Sequence, residues 1–568
     1  MAAKKAILFA TPGSDADLQL ARYIESLGVP CEIQSVEQPG DTRDAGVILS
    51  GSALARLLAA NRERSLSLLQ TASSALLFGL ESATLTADDL QFVTGGVCDR
   101  SGPISAAAFN VKRDPELCGP LAGLTVPRQA SGPVAGLKFA GGAGAVELIC
   151  VDNTAIFGCL KGSRIFLSAS GKIGLDEALA ENFRASAVLE WLAPILLYVR
   201  AAFPEVRWKP RRNMGCLIID DPMLRPRYGF LNLLQLLSKL EESNSAANLA
   251  FIPFNWKRSR KSVADLVRKN TRMAICIHGC DHTRAEYGSS NGAWLDALTT
   301  LALQRMQGHQ ESTGVPHERI MVFPQGIFSA EAMATLKNHN FVAVVNTEVV
   351  PNHQTRSGSI RLRELLSVAA DCYSGFPLFS RRNYDADLAD FAIDMLLGKP
   401  TLIVAHHQFF QSGFGPFLQL ASDLNRLDPQ LQWRPLGEVI ENACLWRFQP
   451  DGTVAVKMFA NQMQLQNDSA ARTRYRIEKS ESDLGAVSEI LINGQPQSFE
   501  RAGADLRFGC ELASGESALV RVLYREPKRN GAATFSLKYR AQSAARRYMC
   551  DFRDGYVQPL QRLVLGGR

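Results

Sequence analysis

The spacing of apolar residues divides the chain into three parts with different expected secondary structure. In the first part, residues 1–205, short apolar runs alternate with stretches whose apolar residues recur every three or four positions, as in a helix. This alternation of strands and helices predicts a small parallel sheet with helices on both faces. Residues 90–170 are mostly typical of strands and turns. The predicted strands include residues 5–10, 29–36, 46–50 and 75–78, and the predicted helices include 15–27 and 52–60.

The middle part, residues 206–448, has longer spacing between apolar runs that are short enough to be buried strands. Helix-like stretches separate these runs, and this order is typical of a (β/α) barrel, in which catalytic groups lie at the carboxyl ends of the strands. The predicted strands are 215–219, 249–254, 273–277, 320–323, 341–345 and 402–405. The predicted helices are 231–242, 263–269, 294–308, 330–339 and 387–397.

The last part, residues 449–568, consists of short strand-like runs, and Asn493-Gly494 is a hairpin signal between two of them. We therefore predict a C-terminal antiparallel β-sandwich. Its expected strands are 453–459, 473–479, 489–492, 517–524 and 533–539.

Composition excludes several classes of protein. The net charge of +6 is small for 568 residues and the basic residues are interleaved with acids, so we expect no nucleic-acid partner. The basic cluster at 257–261 is expected to be a solvated loop. Twelve cysteines lie singly, without a CxxC pair, which indicates free thiols in a reducing compartment. The apolar stretch 185–203 contains Glu190 and Pro194, and we interpret it as a buried helix rather than a membrane span. We expect a cytoplasmic protein; the sequence does not indicate its oligomeric state.

Three of the predicted barrel strands end in residues that bind metals or transfer protons. The first strand is followed by Asp220-Asp221, the third by a segment that runs from His278 to His282, and the last by His406-His407. Four of the eight histidines fall in the last two places. Two adjacent carboxylates after a buried strand are costly unless a cation neutralises them.

These residue types suit metal-assisted hydrolysis. One carboxylate and two imidazoles form a three-ligand set that suits zinc and leaves a position open for water. A second carboxylate can take a proton from that water, and a histidine on the far side can protonate the leaving amine. Gly279 permits a sharp turn, so that both His278 and His282 can reach one ion.

The order DD, HxxxH and a late histidine, each after an apolar strand, resembles the polysaccharide deacetylases, also called the NodB-homology or carbohydrate esterase family 4 group. The resemblance covers residues 210–445. It implies a deacetylase-type barrel that binds a divalent metal, expected to be zinc, and a carbohydrate substrate. It implies that Asp220 is the catalytic base, that Asp221, His278 and His282 are the metal ligands, and that His406 is the general acid. His407 is the alternative acid and otherwise a substrate contact.

The sequence departs from the family in its third and fourth motifs. The family has an arginine two residues before a proline, whereas this chain has Val322 before Pro324. Pro324 and Gly326 remain, and we expect them to contact the substrate. Arg225 or Arg227 is our candidate to replace the missing arginine, which in the family orients the base. For the fourth motif the candidate is Asp371-Cys372-Tyr373.

Several further residues have two readings. Trp256 follows the second barrel strand and could either stack on a sugar ring or pack in the protein. Glu286 is close enough to His282 to orient the metal site. Cys280 could be a soft metal ligand, but we interpret it as a loop residue. The N-terminal part loosely resembles the flavodoxin-like or amidotransferase-like domains found beside some carbohydrate enzymes.

The resulting hypothesis is a metal-dependent hydrolase that removes the acetyl group from an N-acetylated amino sugar or its polymer. One alternative is a hydrolase of the same type that acts on another acylated substrate, as an amidohydrolase or esterase. The other alternative is a non-catalytic sugar-binding or scaffold protein in polysaccharide production. Asp220 argues against this second alternative, because a module that only binds metal needs no base.

Overall fold

A parallel barrel forms the centre of the computed structural model, which describes residues 3–105, 107–128, 132–140, 144–351, 359–525 and 535–558. Its strands are β1 (Met214–Asp220), β2 (Ala247–Phe251), β3 (Met273–His278), β4 (Glu318–Val322), β5 (Ala343–Asn346), β6 (Leu378–Ser380 and Arg382–Asn383) and β7 (Thr401–Ala405). Each strand pairs in parallel with its neighbours, and β1 also pairs with β7. This confirms the predicted barrel, and β6 is a strand that the apolar pattern did not indicate.

The sixth strand closes the barrel through a break at Arg381. Residues before Arg381 pair with β5, and residues after it pair with β7. Arg381 therefore lies at the seam, where the chain crosses from one neighbour to the other.

Alternate strand residues point into the barrel and form one apolar cluster, which includes Cys216 and Ile218 of β1 and Cys276 of β3. Because side chains alternate along a strand, Asp220 and His278 continue the same inward rows at the carboxyl ends of their strands. The barrel interior is therefore apolar along most of the strands. At their carboxyl ends, the upper end of the barrel where the βα loops lie, the inward side chains are polar.

Helices cover the outside of the barrel, close to the predicted positions. They are Leu233–Glu242, Lys261–Lys269, Gly292–Thr313, Ala330–Asn338, Leu362–Leu365, Leu388–Leu396, Gly415–Leu427 and Leu436–Glu441. Short 3-10 turns follow three strands, at Pro253–Asn255, Pro324–Gly326 and His407–Ser412. A small hairpin, Arg227–Tyr228 with Leu231–Asn232, stands in the loop after β1, and Gln432–Trp433 adds to the edge of β1.

The N-terminal part contains one large sheet whose first half is parallel. In spatial order, Cys31–Ser35, Lys5–Ala10, Ala45–Ser50, Ser74–Phe78 and Ile165–Ser168 run parallel. The sheet continues with antiparallel strands: Cys98–Ile104, Ala108–Val111, Thr125–Pro127, Val134–Phe139, Ala145–Val151 and Thr154–Leu160. Its helices are Asp15–Ser26, Gly51–Ala60, Arg62–Thr71, Ala87–Thr94, Pro115–Cys118 and Ala185–Ala202, with a 3-10 turn at Gly119–Leu121. The flavodoxin-like or amidotransferase-like type stays a prediction.

Helix Ala185–Ala202 joins the N-terminal sheet to the barrel. It is the one described helix that is long and apolar enough to cross a membrane, and 72% of it is buried inside the protein. Its first backbone N–H donates to the Asp390 carboxylate of a barrel helix at 2.5 Å. The helix shares a continuous apolar core with both parts, as expected for a buried core helix.

Two sheets with a shared apolar core follow the barrel. One contains Lys209–Pro210, Cys444–Phe448, Val454–Met458, Thr473–Ser480, Glu500–Ala502 and Asp505–Leu512, and the other contains Gln462–Gln466, Val487–Ile492, Gln495–Pro496 and Ser517–Tyr524. They pack under the amino-terminal ends of the barrel strands. There Asn461 donates to the Phe341 carbonyl at 3.1 Å, and a buried pair links Lys337 to Glu481.

The end of the chain differs from the prediction. A strand was predicted over 533–539, of which residues 533 and 534 lie outside the described part, but Leu537–Phe552 is a helix, followed by a π-helical turn at Arg553–Val557. The Ser536 hydroxyl accepts from the Tyr539 N–H and caps the helix. This helix leaves the sandwich and lies across the upper end of the barrel, where the candidate site is.

Candidate metal centre and active site

Three of the predicted ligands meet at the top of β1 and β3. The Nε2 atoms of His278 and His282 lie 3.2 and 2.9 Å from one Asp221 oxygen. The three ligand atoms fall within 4.8 Å of one another. Among the described residues, that buried Asp221 oxygen has no partner with hydrogen-bond geometry. The three ligand atoms therefore point to a common centre and not at each other. Two imidazoles and a carboxylate so arranged fit a zinc-type ion with an open position.

A backbone carbonyl fixes the orientation of the His278 ring. Its Nδ1 lies 3.0 Å from the carbonyl oxygen of Val322, which leaves Nε2 free to face the centre. Val322 stands where the resemblance expects an arginine, and its backbone carbonyl orients His278, a candidate metal ligand. Burial raises the pKa of the Asp221 carboxyl, but the two imidazoles outweigh burial and hold it well below its usual value.

The loop between the two histidines has an unusual backbone. Gly279 and His282 both have positive φ angles, of 63° and 55°. At Gly279 a β-carbon would lie 2.1 Å from a Glu286 oxygen and 2.4 Å from the Pro324 ring, so only glycine fits. Pro324 therefore supports the ligand loop. Gly326 has a φ of 71°, and its carbonyl accepts from the Asn346 amide at 2.8 Å. The expected contact of Pro324 and Gly326 with substrate stays a prediction.

Glu286 organises this loop. Its buried carboxylate accepts from the backbone N–H groups of Cys280 at 2.7 Å, Asp281 at 3.2 Å and Thr283 at 3.0 Å, and from the Thr283 hydroxyl. Glu286 thus lies close to His282, as expected, and it contacts the backbone of the loop that carries this histidine. The Cys280 thiol lies 3.3 Å from an Arg305 nitrogen and is outside the ligand cluster.

Asp220 is held by an arginine that sequence reasoning missed. Both oxygens of Asp220 accept from the Arg381 guanidinium, at 2.7 and 2.6 Å. Both side chains are about 4% exposed. Burial raises the pKa of Asp220, but Arg381 and the nearby imidazoles more than offset it and leave the pKa below its usual value. Asp220 is thus an ionised, fixed carboxylate beside the candidate metal ligands, as a general base would require.

The candidate substitutes named from the sequence are elsewhere. Arg225 and Arg227 lie on the loop after β1 and make no ion pair with Asp220, so the prediction for them was wrong. Asp371 precedes β6 and interacts electrostatically with Lys479 of the sandwich, and the Tyr373 hydroxyl donates to the Val349 carbonyl at 2.8 Å. They are therefore not part of the site.

The two late histidines have different environments. His406 continues the inward row of β7, is exposed, and interacts electrostatically with Asp220. His407 is buried, and both of its ring nitrogens lack hydrogen-bond partners. Its ring lies between Tyr228 and Phe230, with centroids 5.5 and 5.8 Å away, and against Gly229. Of the two histidines, His406 is therefore the exposed one and the one that interacts with Asp220.

The C-terminal helix lies beside His407 and Asp221. Asp551 forms a salt bridge with Arg258, and the Tyr228 hydroxyl donates to Asp554 at 3.3 Å. A further Asp554 oxygen is 4.0 Å from His407 Nε2. Arg547 is buried on this helix and interacts electrostatically with Asp221. The helix therefore forms one wall of the site.

Trp256 packs in the protein, which is one of the two roles considered for it above. Its ring lies against Gly308 of an outer helix, where a β-carbon would come within 2.7 Å of it. The Lys257 ammonium is 4.5 Å from the ring centroid on the exposed side. The indole packs on one side and is partly exposed, so its contact with a sugar stays a prediction.

No protein-family model matches the chain. No curated protein matches it either. Solved structures with a similar fold include the carbohydrate deacetylase Agd3, at 10% identity and a TM-score of 0.48, over 92% of this chain and 99% of that one. A family 4 carbohydrate esterase from Streptomyces lividans in complex with acetate has 14% identity and a TM-score of 0.24, over 39% of this chain and 92% of that one. A carbohydrate esterase family 4 pseudoenzyme from Bacillus anthracis has 10% identity and a TM-score of 0.24, over 40% and 64%.

These similar structures thus include carbohydrate deacetylases, esterases and a pseudoenzyme of one barrel type. At such identities and TM-scores the likeness carries no argument about activity.

Proposed function

We propose that the protein is a metal-dependent hydrolase that removes the acetyl group from an N-acetylated amino sugar or its polymer. The observation that carries this proposal is the buried Asp220–Arg381 pair beside the ligand set Asp221, His278 and His282. A fixed, ionised carboxylate beside the ligand set is the group that a general base for the attacking water requires.

The residues divide the reaction between them. A bound zinc-type ion would lower the pKa of a water molecule and polarise the acetyl carbonyl. Asp220 accepts the proton of the attacking water, and Arg381 keeps Asp220 ionised and correctly oriented. His406, at the carboxyl end of the neighbouring strand β7, donates a proton to the amine as the C–N bond breaks. Positioned acid–base groups of this kind contribute roughly 10²–10⁴-fold each to rate.

The test is the metal content of the wild-type protein and of a His278→Ala/His282→Ala variant, together with acetate release from N-acetylated amino-sugar oligomers. We expect about one ion per wild-type chain, with metal and acetate release both lost in the variant. A His317→Ala/His339→Ala variant removes two histidines outside the site and should keep both properties.

Two results would contradict the proposal. Wild-type protein that takes up no metal after reconstitution would exclude the metal centre. Protein that holds the metal but releases acetate from no N-acetylated or O-acetylated sugar would favour a non-catalytic sugar-binding module.

A further inference from the structure

A groove of about 720 Å³ lies beside the metal centre, between the loop after β1 and the C-terminal helix. We call it the arginine groove. It is lined by Met223, Arg225, Arg227, Tyr228, Arg258 and Tyr548, with neighbouring residues of the same two segments. None of these residues has a role in the reaction proposed above.

The groove has an excess of positive charge. Three arginines line it against one carboxylate, that of Asp551. Asp551 is already paired with Arg258. Among the described residues neither Arg225 nor Arg227 has an ion-pair partner, and the Nε–H of Arg225 is buried without an acceptor. A buried donor without a partner is costly, so the groove presents two guanidinium groups for which the protein supplies no acceptor.

The opposite wall is aromatic and apolar. Tyr548 and Met549 are 57% and 66% exposed, which is high for large apolar side chains on a helix that packs on a barrel. The Arg258 guanidinium lies 4.5 Å from the Tyr548 ring centroid, which holds that ring in place. A fixed aromatic face beside hydrogen-bonding cations is suited to a sugar ring, which has an apolar face and a polar rim.

The groove adjoins the site, with the buried side chain of Tyr228 between the two. Tyr228 lines it, and the same ring contacts His407 at 5.5 Å between centroids. Met223 follows the ligand Asp221 by two residues. A substrate that extends past Tyr228 would therefore place a neighbouring sugar unit or substituent in the groove.

We infer that the arginine groove binds an anionic group of the substrate, so that the substrate is an acidic N-acetylated glycan or sugar. This inference rests on the proposed function. Guanidinium groups pair with carboxylate or phosphate oxygens in two-pronged hydrogen bonds, and both groups present the same oxyanion chemistry. A neutral glycan would leave Arg225 and Arg227 without counter-charge, whereas an anionic one satisfies both.

The inference is tested by measuring how tightly sugar probes bind to the metal-free, full-length protein, in which no turnover is expected. Three probes are compared at low and high salt: a hyaluronan tetrasaccharide, which carries carboxylates, N-acetylglucosamine 1-phosphate, and the neutral N-acetylglucosamine tetramer. We expect at least one anionic probe to bind roughly 10-fold or more tighter than the neutral one at low salt, and the advantage to shrink in salt. Which anionic probe is preferred distinguishes an acidic sugar from a sugar phosphate.

The variant Arg225→Ala/Arg227→Ala should lose this preference and keep its thermal midpoint. Its control is Arg474→Ala/Arg507→Ala, which removes the same charge from the sandwich and should keep the preference. Equal binding of anionic and neutral probes, or a preference that survives the first variant, would overturn the inference. If the preference is found but the metal-loaded protein releases no acetate, the proposed function fails and the anion-binding groove stands.

Discussion

Replacing Arg381 by methionine should strongly reduce hydrolysis and destabilise the protein, because Asp220 would be left as a buried carboxylate without its counter-charge. The pair is bidentate, with hydrogen bonds of 2.7 and 2.6 Å. Breaking a buried pair on one side costs about 3–5 kcal/mol. We expect the free energy of unfolding, measured in urea, to fall by about that amount, and kcat/KM to fall by roughly 100-fold or more.

The same substitution should change the pH dependence. In the wild-type protein the pKa of Asp220 is below its usual value, so its stabilising effect is present at neutral pH and is lost as the pH falls through that pKa. Without Arg381, burial dominates and raises the pKa. The acid limb of residual kcat/KM should then move to higher pH, and the stability difference between the two proteins should narrow as the pH falls.

Arg382 provides the matched control. It is also buried, and it pairs with Asp394 at 2.5 Å. Arg382→Met should cost similar stability but leave the acid limb of kcat/KM where it is. An Asp220→Asn/Arg381→Met variant should regain much of the stability and stay inactive. If Arg381→Met keeps the wild-type pH profile, Asp220 is not the base.

Arg381 shows why part of the site could not be predicted from the sequence. The metal ligands each follow an apolar strand, so their convergence follows from the rule that functional residues lie at the carboxyl ends of barrel strands. The sixth strand has only two apolar residues, Leu378 and Phe379, before its polar end, and the break at Arg381 divides it. Arg381 and Asp220 are 161 residues apart, and no local spacing connects them.

The C-terminal helix was missed for a different reason. Phe535, Leu537 and Tyr539 alternate with polar residues, and a period of two predicts a strand. The capping serine and the residues after it favour a helix instead. Its position over the site depends on pairs such as Arg258 with Asp551, which are 293 residues apart. Single-sequence patterns indicate elements, but they do not indicate which distant surface an element covers.

Replacing Glu286 by alanine should release the metal, although Glu286 is not a ligand. Its carboxylate accepts three backbone N–H groups within the loop that carries His282, and it is only 4% exposed. His282 has a φ of 55°, a conformation that costs a non-glycine residue about 1–2 kcal/mol. Without the carboxylate the loop loses the bonds that hold this conformation. We expect zinc affinity, measured by competition with a chelator, to fall roughly 10–100-fold.

Measuring both stability and zinc affinity distinguishes a role of Glu286 in metal binding from a role in stabilising the fold alone. Glu286→Ala leaves buried donors without acceptors, and we expect the free energy of unfolding to fall by about 3 kcal/mol. Glu516 is the control, because its carboxylate accepts the Ala513 N–H at 2.7 Å in a sandwich turn far from the site. Glu516→Ala should keep wild-type zinc affinity. Saturating zinc should restore part of the activity of Glu286→Ala, since Asp220 and His406 remain. Unchanged zinc affinity in Glu286→Ala would show that the ligand loop keeps its shape without this carboxylate.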